Sequence, residues 1–380
     1  MNVSEIYLDN NATTQPLPEV VETVARHLRE TYGNPSSRHC LGRKGRRVLE
    51  DSREQIASIL GARPDELLFT SGGTEANNLA VFGLTSHGSG TILISPGEHP
   101  SNLEACRLRE RQGWQIRPLA VERSGLFSTA SLQSTIADST HVRLAAVILA
   151  HNETGVIQQV EPLLQGAAQQ GFAVHLDGVQ AVGKLPVNFR QLGATTLSFG
   201  AHKFHGPRGV GGLLIREGVR LTPGFAMGGL QESGRRAGTE PVALIAGMAK
   251  ALELWNQESQ ERTAYVRNLR DTLQSRLLEL AAPAVVNGLE AERLPNTLNI
   301  SFPGVDGEAL LVALDLEGIA CSLGSACASG SIEPTPVLVA MGLEPDLYRS
   351  AVRLTLSRLN TLDEIEAAAN KIAEVVKYLR

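Results

Sequence analysis

A mostly parallel α/β sheet covered on both faces is the architecture this chain predicts, on three grounds. From about residue 15 to 215, short strand-like runs alternate with helical stretches, as in βαβ units. One of those runs, Leu144 to Ala150, is apolar throughout, the mark of a strand buried on both faces. At 380 residues the chain also exceeds what one compact core holds, so a large domain should be joined to a smaller α+β domain.

In chain order, Leu17, Val20, Val21, Val24 and Leu28 fall at helical spacing behind prolines that suit a first helical turn. Strands are expected at Leu67–Thr70, Thr91–Ser95, Leu144–Ala150, Phe172–Leu176, Thr195–Phe199 and Val210–Ile215, with helices between them. Open sheets of this kind bind ligands beyond the carboxyl ends of their strands. Thr74, Asn152, Asp177 and Lys203 each follow a strand candidate closely and should gather on one edge. A long helix from about Glu240 to Leu280 carries Leu244, Met248, Leu252 and Trp255 at helical spacing. The terminal helix begins at Thr361, where Glu364 completes a capping box, and Ile365, Ala368, Ile372, Val375 and Leu379 form its core stripe. This places the large domain at residues 15–259 and the small one at 1–14 plus 260–380.

With 35 basic against 40 acidic side chains and a net charge of −5, nothing favours nucleic acid or an anionic membrane surface as partner. The longest apolar run is far short of the roughly 20 residues a membrane helix needs, and the first ten residues hold no apolar signal segment. The four cysteines, Cys40, Cys106, Cys321 and Cys327, include no C-x-x-C pair, which disfavours structural zinc and suits a reducing cytoplasm.

Three local patterns carry chemistry. Ser198 to Pro207 sets Lys203 between a strand-like run and glycines, where a lysine on a rigid scaffold can capture an aldehyde once neighbours lower its pKa. Ala173 to Gly178 reads as a buried strand ending on Asp177, which suits a charge-assisted bond to a protonated ring nitrogen and equally a plain turn cap. Leu67 to Asn77 reads as strand, glycine turn and helix start, so that backbone N–H groups at Gly73 and the Thr74 hydroxyl converge on an anion.

A phosphate seat, a ring-nitrogen carboxylate and an imine lysine in that order resemble the pyridoxal-phosphate enzymes of fold type I. The resemblance narrows at Cys321-Ser322-Leu323-Gly324-Ser325-Ala326-Cys327-Ala328-Ser329-Gly330, which is similar to the active-site loop of cysteine desulfurases of aminotransferase class V, in the longer-loop group with NifS-like and IscS-like enzymes. Tyr7 to Thr14, Gly33 to Arg38, Gly234 to Glu240 and Pro295 to Asn299 match in the same order along nearly the whole chain.

The resemblance implies pyridoxal 5′-phosphate as cofactor, held covalently through Lys203, which also moves the substrate's α-proton. It implies His99 stacked on the cofactor ring and able to relay a proton, Asp177 at the ring nitrogen, Gln180 at the phenolic oxygen, Asn152 orienting the cofactor oxygen, and Gly73, Thr74 and His202 at the phosphate. Thr239 would be a phosphate contact supplied by the other subunit of a homodimer. Arg353 would take the carboxylate of L-cysteine, aided by Asn152 and by Asn34, with Asn296 as a further candidate. Cys327 would accept the sulfur as a persulfide, releasing alanine, and pass it to an iron–sulfur scaffold or a thiolation carrier.

The chain departs from the family three residues before the lysine, where Gly200 replaces the usual hydroxyl and removes a phosphate hydrogen bond worth roughly 0.5–1.5 kcal/mol. Selenocysteine lyase and aminotransferase are the nearest alternatives; a non-catalytic sulfur-assembly scaffold is the alternative of another class. A zinc site built from His175, Asp177, His202 and His205 lacks a convincing third ligand, and the glycines from Gly206 to Gly212 precede a strand rather than the helix a dinucleotide loop requires.

Overall fold

The computed structural model describes residues 5–139, 141–222, 227–323 and 335–380. Among them twelve strands run β1 Ile6–Tyr7, β2 Leu67–Thr70, β3 Thr91–Ile94, β4 Gln115–Pro118, β5 Val142–Ile148, β6 Ala173–Asp177, β7 Thr196–Gly200, β8 Gly211–Ile215, β9 Val285–Val286, β10 Thr297–Ser301, β11 Ile319–Ala320 and β12 Ala351–Thr355. Seven form the main sheet in the order β2-β8-β7-β6-β5-β3-β4. From β7 to β4 every pairing is parallel, while β8 runs antiparallel to both β7 and β2. The apolar runs of the sequence become the central strands, with β6 and β7 buried almost throughout.

Two differences from the sequence reading have physical causes. Strand β4, Gln-Ile-Arg-Pro, went unrecognised because it is a largely exposed edge strand closed by a proline, with neither an apolar run nor alternation. The helix Pro18–Glu30 exists, but Val21 and Leu28 are 55% and 63% exposed, so its apolar stripe is only partly covered by this chain. The glycines before Leu213 serve close packing: Gly212 lies in β8 directly against the Phe199 ring, where a Cβ would collide.

Two large cores dominate the described residues, with three smaller apolar clusters beside them. The larger packs the main sheet against its helices and includes Ile245, Met248 and Leu252. The smaller gathers Ile6 and Leu8, Val266, Leu269, Leu273 and Leu277, the β10 and β12 residues, and Ile365, Ala368 and Ile372 of the terminal helix. The helix Val242–Leu280 therefore belongs to both cores, and the change at 259/260 falls inside continuous helix rather than at a linker. Thr361 and Glu364 form the capping box that starts the terminal helix.

Residues 6–14 lace the two parts together. Ile6 and Tyr7 pair with Ile319 and Ala320, while Thr14 donates its amide and hydroxyl to the His202 carbonyl and accepts the His205 amide on Oγ1. No helix among the described residues is long and apolar enough to cross a membrane.

Candidate active site

The carboxyl ends of β2, β3, β5, β6 and β7 open onto one cavity of about 500 Å³, lined among others by Gly73, Thr74, His99, Asn152, Asp177 and Lys203. At its β2 side the helix Gly73–Leu84 starts with no side chain capping its N-terminus, so the first N–H groups are free to meet an anion. Gly73 must be glycine there, because a Cβ would stand 2.5 Å from Cγ2 of Val179, the residue that brings the β6 turn against this helix start.

Asp177 ends β6 with its carboxylate fixed from two sides. Its Oδ2 accepts from Asn77 Nδ2 at 2.7 Å and its Oδ1 from the Val179 amide at 2.9 Å. Asn77 is in turn oriented by the strands beneath: its Oδ1 accepts from Ser198 Oγ and faces His175 Nε2 at 3.0 Å, while its Nδ2 also reaches Ser101 Oγ. Burial pushes the His175 pKa down to about 4, so the ring is neutral. Since Asn77 Oδ1 can only accept, His175 carries its proton on Nε2 and takes the Thr196 hydroxyl on Nδ1. A closed polar network under the sheet edge thus holds one carboxylate in a single orientation.

Lys203 follows β7 in a short 3-10 turn. Burial, and then the Arg353 guanidinium, lower its pKa to about 8, and its Nζ donates to the carbonyls of Asn11 at 2.6 Å and Ala12 at 2.9 Å. A neutral amine is therefore accessible near physiological pH, the condition for carbonyl capture. His202 beside it is lowered to about 4, chiefly by burial, and meets Thr13 Oγ1 at 3.2 Å. Gln180 donates from Nε2 to the Asn11 carbonyl, while its Oε1 accepts from the buried Lys184, which also donates to Asn11 Oδ1 at 2.7 Å. Lys184 thereby sets which end of the Gln180 amide is the donor.

On the opposite side, the His99 turn is anchored to the sheet. The buried Glu98 accepts from the Ile148 amide at 2.7 Å and from Asn102, and His151 donates from Nε2 to the Gly97 carbonyl at 2.7 Å. His99 caps the helix Pro100–Arg111, accepting the Ser101 amide on Nδ1, and burial lowers its pKa. The neutral ring then keeps its proton on Nε2.

Arg353, in β12, is buried and bound by two carboxylates: Nη2 donates to Asp9 Oδ1 at 2.7 Å and Nη1 to Glu153 Oε1 at 2.9 Å. Its Nε and Glu153 Oε2 are buried without partners among the described residues. The fork is thus pre-oriented at the cavity and retains donor capacity for another carboxylate. Ser322 pairs with the Arg353 backbone and donates its hydroxyl to Asp9 Oδ1 at 3.0 Å, so the segment before residue 324 departs beside this arginine.

Gly73, Thr74, His99, Asn152, Asp177, Gln180, His202, Lys203 and Arg353 all line the one cavity. Asn34 does not: it is exposed, its Oδ1 accepting from the Ser36 amide. Asn296 lies one layer back, donating to Asn11 Oδ1 at 3.0 Å, and Thr239 is on the exposed surface near the Arg236–Glu75 ion pair. Cys327 lies outside the described residues. Cys321 is a free thiol whose pKa is pushed up to about 12 by burial and then by the Asp9 carboxylate, so it stays protonated. Sequence reasoning missed Asn77, Lys184, Asp9 and Glu153, whose partners lie up to several hundred residues away.

The donor set fits pyridoxal phosphate: an uncapped helix N-terminus for the phosphate, an oriented carboxylate for a ring nitrogen, and a partly neutral lysine between them. Among the described residues, no three His, Cys, Asp or Glu side chains group as a metal site.

The aminotransferase class-V family model matches residues 6–368. The chain is 40% identical to a cysteine desulfurase IscS of Dictyoglomus turgidum over 99% of this chain and 95% of the relative, and 41% identical to a cysteine desulfurase of Enterobacter agglomerans over 100% and 94%. Among solved structures, a NifS-like protein superposes with a TM-score of 0.91 at 35% identity, covering 99% of this chain and 100% of that one. SspA in complex with cysteine gives a TM-score of 0.82 at 28% identity over 94% and 100%.

Proposed function

The chain belongs to the aminotransferase class-V family and is a pyridoxal-phosphate-dependent cysteine desulfurase, and from that premise we propose how its own residues divide the work. Gly73, Thr74 and His202 hold the phosphate, Asp177 the ring nitrogen, Gln180 the phenolic oxygen, and His99 the ring face. The bound cofactor supplies an electron sink for the pair released at the substrate's α-carbon. Lys203 is the attachment point and then carries the α-proton, a role its lowered pKa supports. Arg353, pre-oriented by Asp9 and Glu153, takes the carboxylate of L-cysteine, with Asn152 beside it. The Cys327 thiolate attacks the substrate sulfur, the bond from that sulfur to the β-carbon breaks with its electron pair left on carbon, and a proton taken up there completes alanine while Cys327 keeps the sulfur as a persulfide.

The observation that carries this reading is the convergence of Lys203, Asp177 and Arg353 on one cavity. The departure point of the thiol-bearing segment supports it: Ser322 is bonded to Arg353, and Leu323 is held by Thr335 across the segment's two ends. Cys327 is four residues past Leu323, within roughly 14 Å of chain at ~3.5 Å per residue. We read residues 15–259 as the cofactor-binding unit and 1–14 with 260–380 as the unit carrying that thiol, in line with the two cores. A homodimer supplying Thr239 across its interface, a sulfur-acceptor protein of iron–sulfur or thiolation type, and a reducing cytoplasmic setting complete the proposal; the partly uncovered first helix and the name IscS borne by a relative support the first two.

The test is substitution of each centre in the loaded enzyme. Lys203→Ala should lose the borohydride-reducible chromophore and all turnover. Cys327→Ser should keep the chromophore and lose persulfide formation; sulfide release at the full rate by that variant would remove Cys327 from the mechanism.

A further inference from the structure

A second cavity, of about 40 Å³, lies at the seam of the two cores. Lys184, Lys203 and His205 line it from the larger part, and Arg262, Asn296 and Arg358 from the smaller. Its volume corresponds to about three water-sized probes at ~10–15 Å³ each. That is room for a monatomic ion with water.

Its charge is unbalanced. The Arg262 side chain is 9% exposed, and its one bond, from Nη2 to Glu258 Oε2, is long at 3.3 Å. The same Glu258 oxygen already accepts Arg358 Nη1 at 2.5 Å, so a single carboxylate, itself 42% exposed, answers two guanidinium groups. Arg262 Nε and Nη1 are sequestered from solvent with no acceptor among the described residues. Nearby Lys184 is bonded only to neutral amide oxygens, and His205 gives its Nδ1 to the Gln15 carbonyl and is neutral, its pKa lowered to about 4 first by burial and then by Arg262. Burial and then Arg358 lower Arg262 itself to about 10, the direction an uncompensated cation takes. Two guanidinium groups that share one carboxylate repel each other, and a small anion in the cavity they line offsets that repulsion.

We propose that this seam cavity is a binding site for a single monovalent halide, chloride under cellular conditions, held by Arg262 and Arg358. Because its walls come from both cores, the bound ion ties the two parts together and stabilises the folded chain by mass action.

The test uses the wild-type holoenzyme with bromide as probe. A crystal grown in bromide should show an anomalous peak in the cavity between Arg262 and Arg358; an ordered water there without an anomalous peak overturns the proposal. In solution, replacing gluconate with chloride or bromide at fixed ionic strength should raise the thermal midpoint along a saturable curve. Arg262→Gln and Arg358→Gln should each weaken the apparent halide affinity at least tenfold. A linear, non-saturating rise in the wild type, or the same curve in both variants, overturns the assignment. The bromide map decides the matter even if a variant does not fold, and cofactor loading or desulfurase activity enters neither readout.

Discussion

Gly200→Ser supplies the hydroxyl that the family resemblance leads one to expect three residues before Lys203, and the structure allows its effect to be worked out. The backbone at Gly200 has φ −136° and ψ 128°, an extended conformation open to any residue. A Cβ built there stands 3.4 Å from the Gly73 amide nitrogen and 3.6 Å from Cδ2 of His202, ordinary contact distances that require no shift. The new hydroxyl would therefore sit beside the helix start proposed to seat the phosphate, adding one hydrogen bond worth about 0.5–1.5 kcal/mol. That corresponds to pyridoxal phosphate binding about 2- to 12-fold tighter, read by titrating the apoprotein with cofactor. Gly200→Ala is the control, since it adds the Cβ and the loss of unfolded-chain freedom, about 0.4–1 kcal/mol of stability, without the hydroxyl. If serine binds the cofactor no tighter than alanine, the phosphate does not lie at this helix start and the seat has been misplaced.

Four other outcomes follow from the site. Lys203 in the apoprotein titrates near 8 rather than 10.5, so the rate of cofactor capture should rise with pH through a midpoint near 8. Between about pH 8 and 10.5 the unfolded chain binds the extra proton, so apoprotein stability should also increase across that window and flatten above it. Asn77→Ala removes the 2.7 Å donor to Asp177 and orphans His175 Nε2, which should cost about 1–3 kcal/mol in denaturant melts and weaken cofactor binding, whereas an unchanged midpoint would mean the network is not built as described. Arg353→Lys keeps the charge but cannot serve Asp9, Glu153 and a substrate carboxylate together, so kcat/KM for L-cysteine should fall at least about tenfold with the cofactor spectrum retained.

What was legible in the sequence was local. Strand ends at Thr70 and Asp177, and the capping box at Thr361, depend on neighbours in the chain and stand where their patterns put them, while the strand expected at Thr195–Phe199 lies one residue later, at Thr196–Gly200. The supports were not legible. Asn77 contacts Asp177 across a hundred residues and Arg353 is held by Asp9 from the far end of the chain, and hydrogen bonds between distant strands leave no periodicity to read. Strand β4 was hidden because an exposed edge needs no apolar pattern, and Val21 and Leu28 misled because an apolar stripe does not say what covers it. The seam cavity was equally silent: Arg262 and Arg358 look like ordinary surface charges until folding shares one carboxylate between them.

The most direct measurement of the central claim is a single turnover of the cofactor-loaded enzyme with L-cysteine, followed by peptide mass mapping. Alanine formed in equal amount to one additional sulfur atom, carried on the peptide that contains Cys327, is the predicted result. Alanine produced in full while that peptide stays unmodified, or sulfur found on Cys321 instead, would contradict it.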